Sequence, residues 1–338
     1  MLASARKMAS TMRAVRAHKF GAPDVLRVEE VPVPTFGDKE VLIRVHAAGV
    51  NPVETYVRGG LYPQLPQLPY IPGTDAAGVV EAVGAAVTKF KVGDRVFTTR
   101  SVRGSYAEYC VCPDDSCWTL PQRITFAQGA GIGVPYFTAY RSLFQKAHVR
   151  PSQSILIHGA SGAVGLASVQ LARAYGMTVY GTAGTETGLK LVETCGAHYT
   201  FNHRNPEYVG ELKRTSGGQG FDVIFEMLGN VNLGKDCDLV KSHGTIVVIG
   251  ARGNAEIDPR LLMRKDASIV GMHLFFGTSD QRDWDDMGAA LVASFENGTL
   301  TPIVDKEYPL EKAADAHRDI IESAGAKGNL VLTTSQRL

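Results

Sequence analysis

The sequence lacks any apolar run long enough to cross a membrane and any surplus of charge of one sign. No stretch of about 20 apolar residues occurs, which is the length that a helix needs to span a bilayer. Lys and Arg number 35, and Asp and Glu number 34, so no net charge steers the chain toward nucleic acid or an acidic membrane. We therefore expect no membrane contact, and RNA binding would need a local basic patch.

Cysteine is scarce and its number, five, is odd. The spacing of Cys110, Cys112 and Cys117 matches none of the common zinc templates. The N-terminus lacks the apolar core of a secretory signal, so we expect free thiols and a cytoplasmic location. Residues 1–12 are small and basic and contain no acid. A disordered tail is the favoured interpretation of this segment, and mitochondrial import stays open.

Two patterns divide the chain, whose 338 residues match about two domains. Up to about residue 134, short strand-like runs such as VLIRVHAAGV alternate with Gly-, Pro- and Asp-rich turns, which predicts a mostly β domain. From there, six short runs rich in β-branched residues alternate with helical segments, which predicts an α/β domain with a doubly wound parallel sheet. The last strand-like runs fit the first domain better. We therefore assign residues 12–134 and 277–338 to the β domain and residues 135–276 to the α/β domain.

A glycine-rich turn follows the first strand of the α/β domain, in ILIHGASGAVGLASVQLARAYG. Ala160, Gly162 and Gly165 occupy the three positions of the dinucleotide fingerprint. The absence of a side chain at Gly162 would let the backbone reach a pyrophosphate, and Gly165 would let the helix pack closely. Because a strand precedes the turn and a helix follows it, the pattern predicts a dinucleotide site.

The second strand of this domain lacks the acidic tip that would bind the ribose of NAD. The segment Tyr180–Thr185 contains no acid, and Glu186 comes late. His203, at the end of the third strand, would instead face the 2′-phosphate of NADP. Lys190 and Arg204 lie nearby in sequence and are more simply interpreted as solvated surface residues. The pattern favours NADP over NAD.

Several long motifs carry a family resemblance. HAAGVNPVETY, IPGTDAAGVVEAVG, KVGDRV, GSYAEY, GVPYFTAY and HGASGAVG resemble the medium-chain dehydrogenase/reductase superfamily. GVNPVETYVRGG, EMLGNVNL, GTAGTE and FNHR narrow the resemblance to the zeta-crystallin group of NADPH:quinone oxidoreductases, over about residues 12–332. The resemblance implies a Rossmann domain that binds NADPH and a GroES-like β-barrel domain.

The residues that hold zinc in related alcohol dehydrogenases are missing. Asn51 stands at the position of a cysteine ligand and Thr74 at that of a histidine ligand, while GIGVPYFTAY offers no third ligand. Asp75 alone cannot hold a catalytic zinc, which needs three protein ligands. We therefore expect no metal and no alcohol oxidation, but reduction of an acceptor that is already electrophilic, such as a quinone.

The resemblance also implies site residues. The cleft between the domains is expected to hold the substrate beside Asn51, Tyr56, Tyr62 and Thr138, with Tyr56 also touching the cofactor. Packing is an equally good interpretation for Tyr62, and helix capping is an alternative for Thr138. The implied cofactor-binding residues are Ser161, Gly162, Ala163, Val164, Gly184, His203, Asn232, Ile249, Gly250, Ala251, Arg252, Met272, His273 and Leu274.

Three function classes stay open at this level. The first is NADPH-dependent reduction of quinones, for which the resemblance implies a preference for ortho-quinones and one-electron products. The second is reduction of enones or enoyl thioesters on the same frame. The third is a binding or structural role, as an AU-rich RNA-binding protein or a lens crystallin, although Lys and Arg are only scattered. The resemblance further implies a homotetramer that pairs through the strand near Ser268–Leu274.

Overall fold

The computed structural model describes residues 10–275, 280–322 and 325–334. Most of the N-terminal segment considered above therefore lies outside the described residues. In chain order the strands are β1 (Thr11–Ala17), β2 (Leu26–Pro32), β3 (Glu40–Val50), β4 (Ala76–Val83), β5 (Arg95–Thr98), β6 (Tyr109–Pro113), β7 (Cys117–Thr119), β8 (Ser154–Ile157), β9 (Thr178–Ala183), β10 (Tyr199–Asn202), β11 (Phe221–Glu226), β12 (Val240–Val248), β13 (Ser268–Gly271), β14 (Val304–Pro309) and β15 (Asn329–Thr333).

The helices separate the strands of the second half and are fewer in the first. They are α1 (Pro52–Arg58), α2 (Phe126–Ala130), α3 (Gly133–Tyr140), α4 (Ala163–Ala174), α5 (Glu186–Thr194), α6 (Tyr208–Thr215), α7 (Gly229–Leu239), α8 (Pro259–Met263), α9 (Gln281–Glu296) and α10 (Ala313–Glu322). Among the described residues, no helix combines the length and apolarity that a membrane crossing requires.

The chain divides into two units. The first unit comprises the described residues of Met1–Gly133, Lys306–Glu322 and Leu330–Leu338, and the second unit comprises those of Val134–Asp305 and Ser323–Asn329. The first segment of the first unit ends at Gly133, and the second unit begins at Val134. The chain re-enters the first unit at Lys306, later than the expected residue 277, because α9 belongs to the second unit. There Trp284 packs on Phe137 with ring centroids 5.6 Å apart, and Phe295 packs on Tyr136 at 5.0 Å.

The first unit is mostly β, as predicted. A seven-stranded sheet runs in the order β14-β15-β3-β4-β5-β7, with β6 also paired to β3. The expected barrel is not closed by strand pairing within the described residues. One edge of β3 is shared, because residues 40–44 pair with β6 and residues 47–50 pair with β15. The ladder therefore branches at β3 instead of continuing around a barrel.

The second unit contains the predicted doubly wound parallel sheet. All six expected strands form, in the order β10-β9-β8-β11-β12-β13. Their interior residues, such as Ile155, Val179 and Ile224, are buried on both faces under the crossover helices. The strand order reverses between β8 and β11, and ligands of such sheets bind beyond the carboxyl ends of the strands at this reversal.

Candidate active site

The glycine-rich turn leads directly from β8 into α4. Gly159 adopts a φ of 59°, a left-handed conformation that glycine accepts without strain. Gly162 is the N-cap of α4, and the first helical bond runs from Leu166 N to Gly162 O at 2.8 Å. The preceding backbone N–H groups, including those of the predicted Ala163 and Val164, have no partner within the helix by geometry. They form an anion-binding helix terminus of the kind that holds a pyrophosphate.

The two glycines of the turn have different roles. A Cβ at Gly165 would lie 2.5 Å from Gly159 O and 2.6 Å from Ala160 Cα, so only glycine allows the helix to pack on the turn. A Cβ at Gly162 would meet Gly159 O at 3.4 Å and Ala326 Cβ at 3.8 Å, which are ordinary contacts. The fold itself therefore does not need glycine at position 162. This open backbone is what a dinucleotide pyrophosphate requires.

Two basic side chains lie beside the end of β9, the second strand of the parallel sheet. A Cβ on Gly184 would lie 2.8 Å from His203 Nε2 and 3.0 Å from Arg204 Nε, so both side chains lie over this glycine. Burial, followed by the charges of His158, Arg204 and Lys235, lowers the pKa of His203. A site with basic neighbours favours a bound anion, and the 2′-phosphate of NADP is such an anion. The structure places Arg204 beside His203, and Arg204 is exposed, as the sequence-based interpretation expected.

The predicted residues of the fifth and sixth strands meet in one place. Ile249, Gly250 and Ala251 line a cavity of about 420 Å³ together with Met272 and His273. Lys146 supplies a cation to the same cavity. Burial and the charge of Arg141 lower the pKa of His273. The backbone N–H of Arg252 donates to Asn230 Oδ1 at 2.8 Å, which holds the loop after β12 in place.

The remaining predicted cofactor residues lie around the same edge of the sheet. Ser161 is buried, and its carbonyl oxygen accepts a hydrogen bond from Gly328 N at 2.9 Å. Asn232 lies on α7, where its Nδ2 donates to Glu226 Oε1 at 3.3 Å. Leu274 is buried directly after Met272 and His273. These positions agree with a dinucleotide lying along the carboxyl ends of the strands.

The predicted substrate residue Asn51 is buried in the first unit at the start of α1. Its Nδ2 donates to Asp75 Oδ2 at 2.9 Å and to Glu54 Oε1 at 3.3 Å. Both neighbours are carboxyl groups, which accept hydrogen bonds when ionised, so the amide nitrogen must point toward them. Both amide hydrogens of Asn51 are therefore used within the protein. The amide nitrogen is therefore not free to donate to a quinone oxygen.

Glu54 is the centre of this buried cluster. Its Oε1 accepts from Thr74 N at 3.3 Å and from Thr74 Oγ1 at 3.2 Å, and its Oε2 accepts from Asn51 N and from Tyr106 Oη. Burial and the neighbouring Asp75 raise the pKa of Glu54 to about 8, against the opposing effect of these donors. We name Asn51, Glu54, Thr74 and Asp75 the carboxyl cage.

A histidine, His317, extends the hydrogen-bond network of the carboxyl cage through Tyr106. Tyr106 Oη lies 3.1 Å from His317 Nε2, and Arg58 NH1 donates to His317 Nδ1 at 3.3 Å. Arginine can only donate, so Nδ1 is the acceptor and Nε2 carries the hydrogen. Burial and the charge of Arg58 lower the pKa of His317 to about 3, which keeps the ring neutral.

Asn51 and Thr74 of the carboxyl cage stand at the positions where the resemblance places zinc ligands, and Asp75 follows Thr74 directly. An amide, a hydroxyl and a carboxyl group stand there, and hydrogen bonds already tie them to one another. Zinc in proteins takes thiolate, imidazole and carboxylate ligands. The donor set at residues 51, 74 and 75 therefore does not fit a catalytic zinc.

The three other predicted substrate residues are placed as follows. Tyr56 lies on α1 and Tyr62 follows that helix, and both are partly buried. Burial raises the pKa of Tyr62. Thr138 is buried inside α3, which begins at Gly133, so the alternative interpretation that it caps this helix is wrong.

A second buried acid cluster, which sequence reasoning missed, lies under the glycine-rich turn. His158, Glu226 and Asp236 bring a ring nitrogen and carboxylate oxygens within 4.8 Å of one another. His158 Nε2 lies 2.9 Å from Asp236 Oδ1 and 4.0 Å from Glu226 Oε2. We name these residues the edge triad. The only sequence signal was a histidine in the turn and an acid at the end of β11.

Comparisons with known proteins agree with this geometry. Residues 37–122 match the family model described as alcohol dehydrogenase GroES-like domain, and residues 163–293 match the one described as zinc-binding dehydrogenase. The chain is 51% identical to the quinone oxidoreductase of Homo sapiens over 322 residues, covering 95% of this chain and 97% of that protein. It is 49% identical to that of Mus musculus over 324 residues, with the same coverage of 95% and 97%.

Solved structures share the fold across the chain. The Escherichia coli quinone oxidoreductase complexed with NADPH superimposes with a TM-score of 0.87 at 30% identity, covering 95% of this chain and 99% of that one. An NAD-dependent alcohol dehydrogenase gives a TM-score of 0.88 at 30% identity, covering 96% and 100%. Because enzymes with different cofactors share the fold, the cofactor has to be argued from the site itself.

Proposed function

Because the chain belongs to the quinone oxidoreductase family of the medium-chain dehydrogenase/reductase superfamily, we propose that it reduces quinones with NADPH and without zinc. Ortho-quinones are the preferred acceptors in this proposal, and one-electron products are formed. The observation that carries it is the carboxyl cage, which replaces the zinc ligands while the dinucleotide site is retained. Without a Lewis acid, the acceptor must be electrophilic by itself.

The protein contributes binding and orientation to this reaction. When bound, NADPH would supply two electrons, and two quinone molecules would each take up one of them, which gives two semiquinone anions, NADP⁺ and one proton released to solvent. The N–H groups at the start of α4 hold the pyrophosphate, and Gly162 lets it approach. Holding donor and acceptor in contact accelerates the transfer, because the encounter no longer costs orientational entropy.

His203 and Arg204 support NADPH rather than NADH. Both lie over Gly184, and the described end of β9 carries no acid that would bind the ribose of NAD. A 2′-phosphate beside a guanidinium gains charge-assisted hydrogen bonds, which are about twice as strong as neutral ones. NADH lacks this group and would leave the Arg204 guanidinium without an anion.

The Asn51 amide also has a defined role in the proposal. Since its hydrogens are bound to Glu54 and Asp75, only its oxygen can serve a ligand. It would accept from the carboxamide of the nicotinamide or from a reduced product, and not donate to the quinone. Tyr56 and Tyr62 are proposed to supply apolar ring surface and hydroxyl donors to the substrate.

An acceptor panel tests the function. Oxidation of NADPH is followed with phenanthrenequinone, a para-benzoquinone, an enone and an enoyl thioester, each with and without a zinc chelator. We expect fast turnover with the ortho-quinone, trapping of a radical product by electron paramagnetic resonance, and no effect of the chelator. Turnover confined to the enone or thioester would replace this function by the second candidate, and loss of activity with chelator would contradict the zinc-free proposal.

The proposal includes assembly as a cytoplasmic homotetramer. β13 pairs only with β12 among the described strands and therefore lies at an edge of the parallel sheet. An edge strand offers unpaired backbone groups to a second copy. Light scattering would test the oligomeric state. A gel shift with AU-rich RNA that weakens with salt would test the RNA role, for which the described surface offers no independent support.

A further inference from the structure

Glu226 ties together two loops at the carboxyl edge of the parallel sheet. It is the last residue of β11 and its side chain is fully buried. Its Oε1 accepts from Leu228 N and from Asn232 Nδ2. Its backbone oxygen accepts from Ile249 N at 2.9 Å and from Gly250 N at 3.2 Å. Movement of Glu226 would therefore displace the loops after β11 and β12.

The other members of the edge triad hold the glycine-rich turn. His158 begins that turn, and its Nε2 contacts Asp236 Oδ1 of α7 at 2.9 Å. On the opposite side of the ring, Nδ1 lies 3.4 Å from Thr182 Oγ1, which also accepts from Gly159 N at 3.2 Å. The edge triad thus joins the turn after β8 to α7 and β9.

Two carboxyl oxygens of the edge triad have no hydrogen-bond partner in the described structure. They are Glu226 Oε2 and Asp236 Oδ2, and both are buried. A buried unpaired carboxylate oxygen costs free energy, and two ionised carboxylates in one site repel each other. A single proton between the two groups satisfies both, because it lets one carboxyl donate to the other.

Electrostatics agree with a proton at this place. Burial, acting with the neighbouring Asp236 and against the charge of His158, raises the pKa of Glu226 to about 7. Burial alone would lower the pKa of His158, but Asp236 and Glu226 raise it.

We propose that Glu226 and Asp236 share one proton, and that this proton makes Glu226 a positioning residue for the cofactor by holding the loops that flank the dinucleotide site. The inference rests on the proposed function for the identity of the ligand. When the proton leaves, the two carboxylates repel each other and the loops lose their alignment. One negative charge is also added beneath the turn that binds the pyrophosphate. Both effects weaken NADPH binding.

Other titratable groups around the site are few in the described structure. Lys235 and Asp236 face it from α7, His158 from the turn, and His203 from the end of β10. Burial raises the pKa of the Cys237 thiol, and the charge of the neighbouring Asp236 raises it further. His203 has a lowered pKa and stays neutral above pH 7. Glu226, with a pKa of about 7, and His158, whose pKa is raised from its ordinary value, are therefore the members of the edge triad whose charge changes near pH 7, and Glu226→Gln removes the first of these two titrations.

The test compares Glu226→Gln with the wild-type chain in NADPH binding. Glutamine keeps an acceptor oxygen toward Leu228 and Asn232 and places an N–H donor permanently toward Asp236, so it imitates the protonated acid. The dissociation constant is measured by nucleotide fluorescence between about pH 6.5 and 8.5. Glu193→Gln on the exposed face of α5 is the matched control. The titration of the ligand's own phosphate cancels, because all variants bind the same ligand.

We expect wild type and Glu193→Gln to lose affinity with rising pH, by up to about tenfold per pH unit, the limit for one proton. Glu226→Gln should keep the low-pH affinity and lose less of it with rising pH than the wild type, because only the titration of Glu226 is removed. Calorimetry of the wild type in two buffers near pH 8 should show proton uptake on NADPH binding, which does not depend on the folding of any variant. Equal slopes in all three chains, or no proton uptake, would overturn the proposal.

Two further readouts separate this inference from the proposed function. Dialysis against Zn²⁺ that leaves one equivalent on the wild type and none on Glu226→Gln would overturn the shared proton in favour of a metal. Quinone turnover is measured at saturating NADPH. A Glu226-dependent pH profile of binding in a chain that turns over no quinone would support the shared proton while refuting the quinone function.

Discussion

Each unit of the molecule contains a buried pair of acids, and the two pairs differ in how their oxygens are satisfied. In the first unit, Glu54 and Asp75 share the Asn51 amide, and both oxygens of Glu54 receive donors. In the second unit, Glu226 receives donors on one oxygen and leaves the other unpaired. Burial raises the pKa of Glu54 to about 8 and that of Glu226 to about 7, in each case with the second acid contributing.

The nearby histidines show the same contrast. His317 faces the cation Arg58, and burial together with this charge lowers its pKa to about 3. His158 faces an acid, and Asp236 raises its pKa against the effect of burial. The same residue types therefore form a closed, neutral-histidine network in one unit and an incomplete, proton-dependent one in the other. The surrounding donors decide which acid pair is structural and which responds to its environment.

The largest expected effect is the loss of Glu54. Glu54→Ala leaves the buried donors of Asn51, Thr74 and Tyr106 without an acceptor, so we expect a loss of about 3–5 kcal/mol in the free energy of unfolding. Glu226→Ala removes fewer hydrogen bonds and relieves repulsion with Asp236, so about 1–2 kcal/mol is expected. Urea denaturation measures both, with the exposed Glu193→Ala as control. Equal losses would contradict the contrast between the two pairs.

The pH dependence of stability sharpens the comparison. Both acids have raised pKa values in the folded chain, so their contribution to stability is complete below the unfolded value of 4.5 and is lost as the pH rises through about 7 for Glu226 and about 8 for Glu54. Each group lowers stability by up to about 1.4 kcal/mol per pH unit in this window. Thermal unfolding from about pH 5 to 8.5 should show this decline. If the stability of Glu226→Gln declined with pH near pH 6 as steeply as that of the wild type, a contribution of Glu226 to this decline would be contradicted.

The two turn glycines separate folding from binding. Gly165→Ala places a Cβ 2.5 Å from Gly159 O, so we expect a stability loss of about 1–3 kcal/mol. Gly162→Ala makes only ordinary contacts in the free protein and should unfold like the wild type, but its methyl group should weaken NADPH binding at least about tenfold. Denaturation and nucleotide titration of both variants check the assignment. Normal NADPH affinity in Gly162→Ala would move the pyrophosphate elsewhere.

The last comparison concerns cofactor choice. His203→Ala and Arg204→Ala each remove a contact that the 2′-phosphate would make, so NADPH affinity should fall about 10- to 100-fold while NADH affinity stays unchanged. Lys190→Ala on the neighbouring helix is the matched loss of a cation and should change NADPH affinity less than twofold. A parallel loss of NADH affinity would mean that these residues support the fold rather than the phosphate.

Much of the fold was predictable from the sequence, because its cues are local. Runs such as SILI and TIVV, rich in β-branched residues, become the buried parallel strands β8 and β12. The open first sheet was not predictable, because the branching at β3 depends on which strand pairs with which half of one edge. The position of α9 was missed for a similar reason, since an amphipathic helix does not reveal which unit covers its apolar face.

In the candidate site, too, local features were predictable from the sequence and long-range contacts were not. The glycine spacing predicted the positions of Gly162 and Gly165, because the roles of both residues are local to one turn. The edge triad joins residues from separate elements, with 78 positions between His158 and Asp236, and no sequence pattern links them. Arg204 is exposed, as expected, but its position over Gly184 was not predictable, because Gly184 follows a different strand. That only the oxygen of the Asn51 amide is available to a ligand follows from its two carboxyl partners, which no sequence pattern shows.

The most direct test of the central claim is the comparison of NADPH with NADH as reductant for phenanthrenequinone in the wild-type chain. The account predicts turnover with NADPH and a value of kcat/KM at least about tenfold lower with NADH, because only NADPH offers a phosphate to His203 and Arg204. Equal use of both nucleotides would contradict the phosphate site. No turnover of the quinone with either nucleotide would contradict the proposed function.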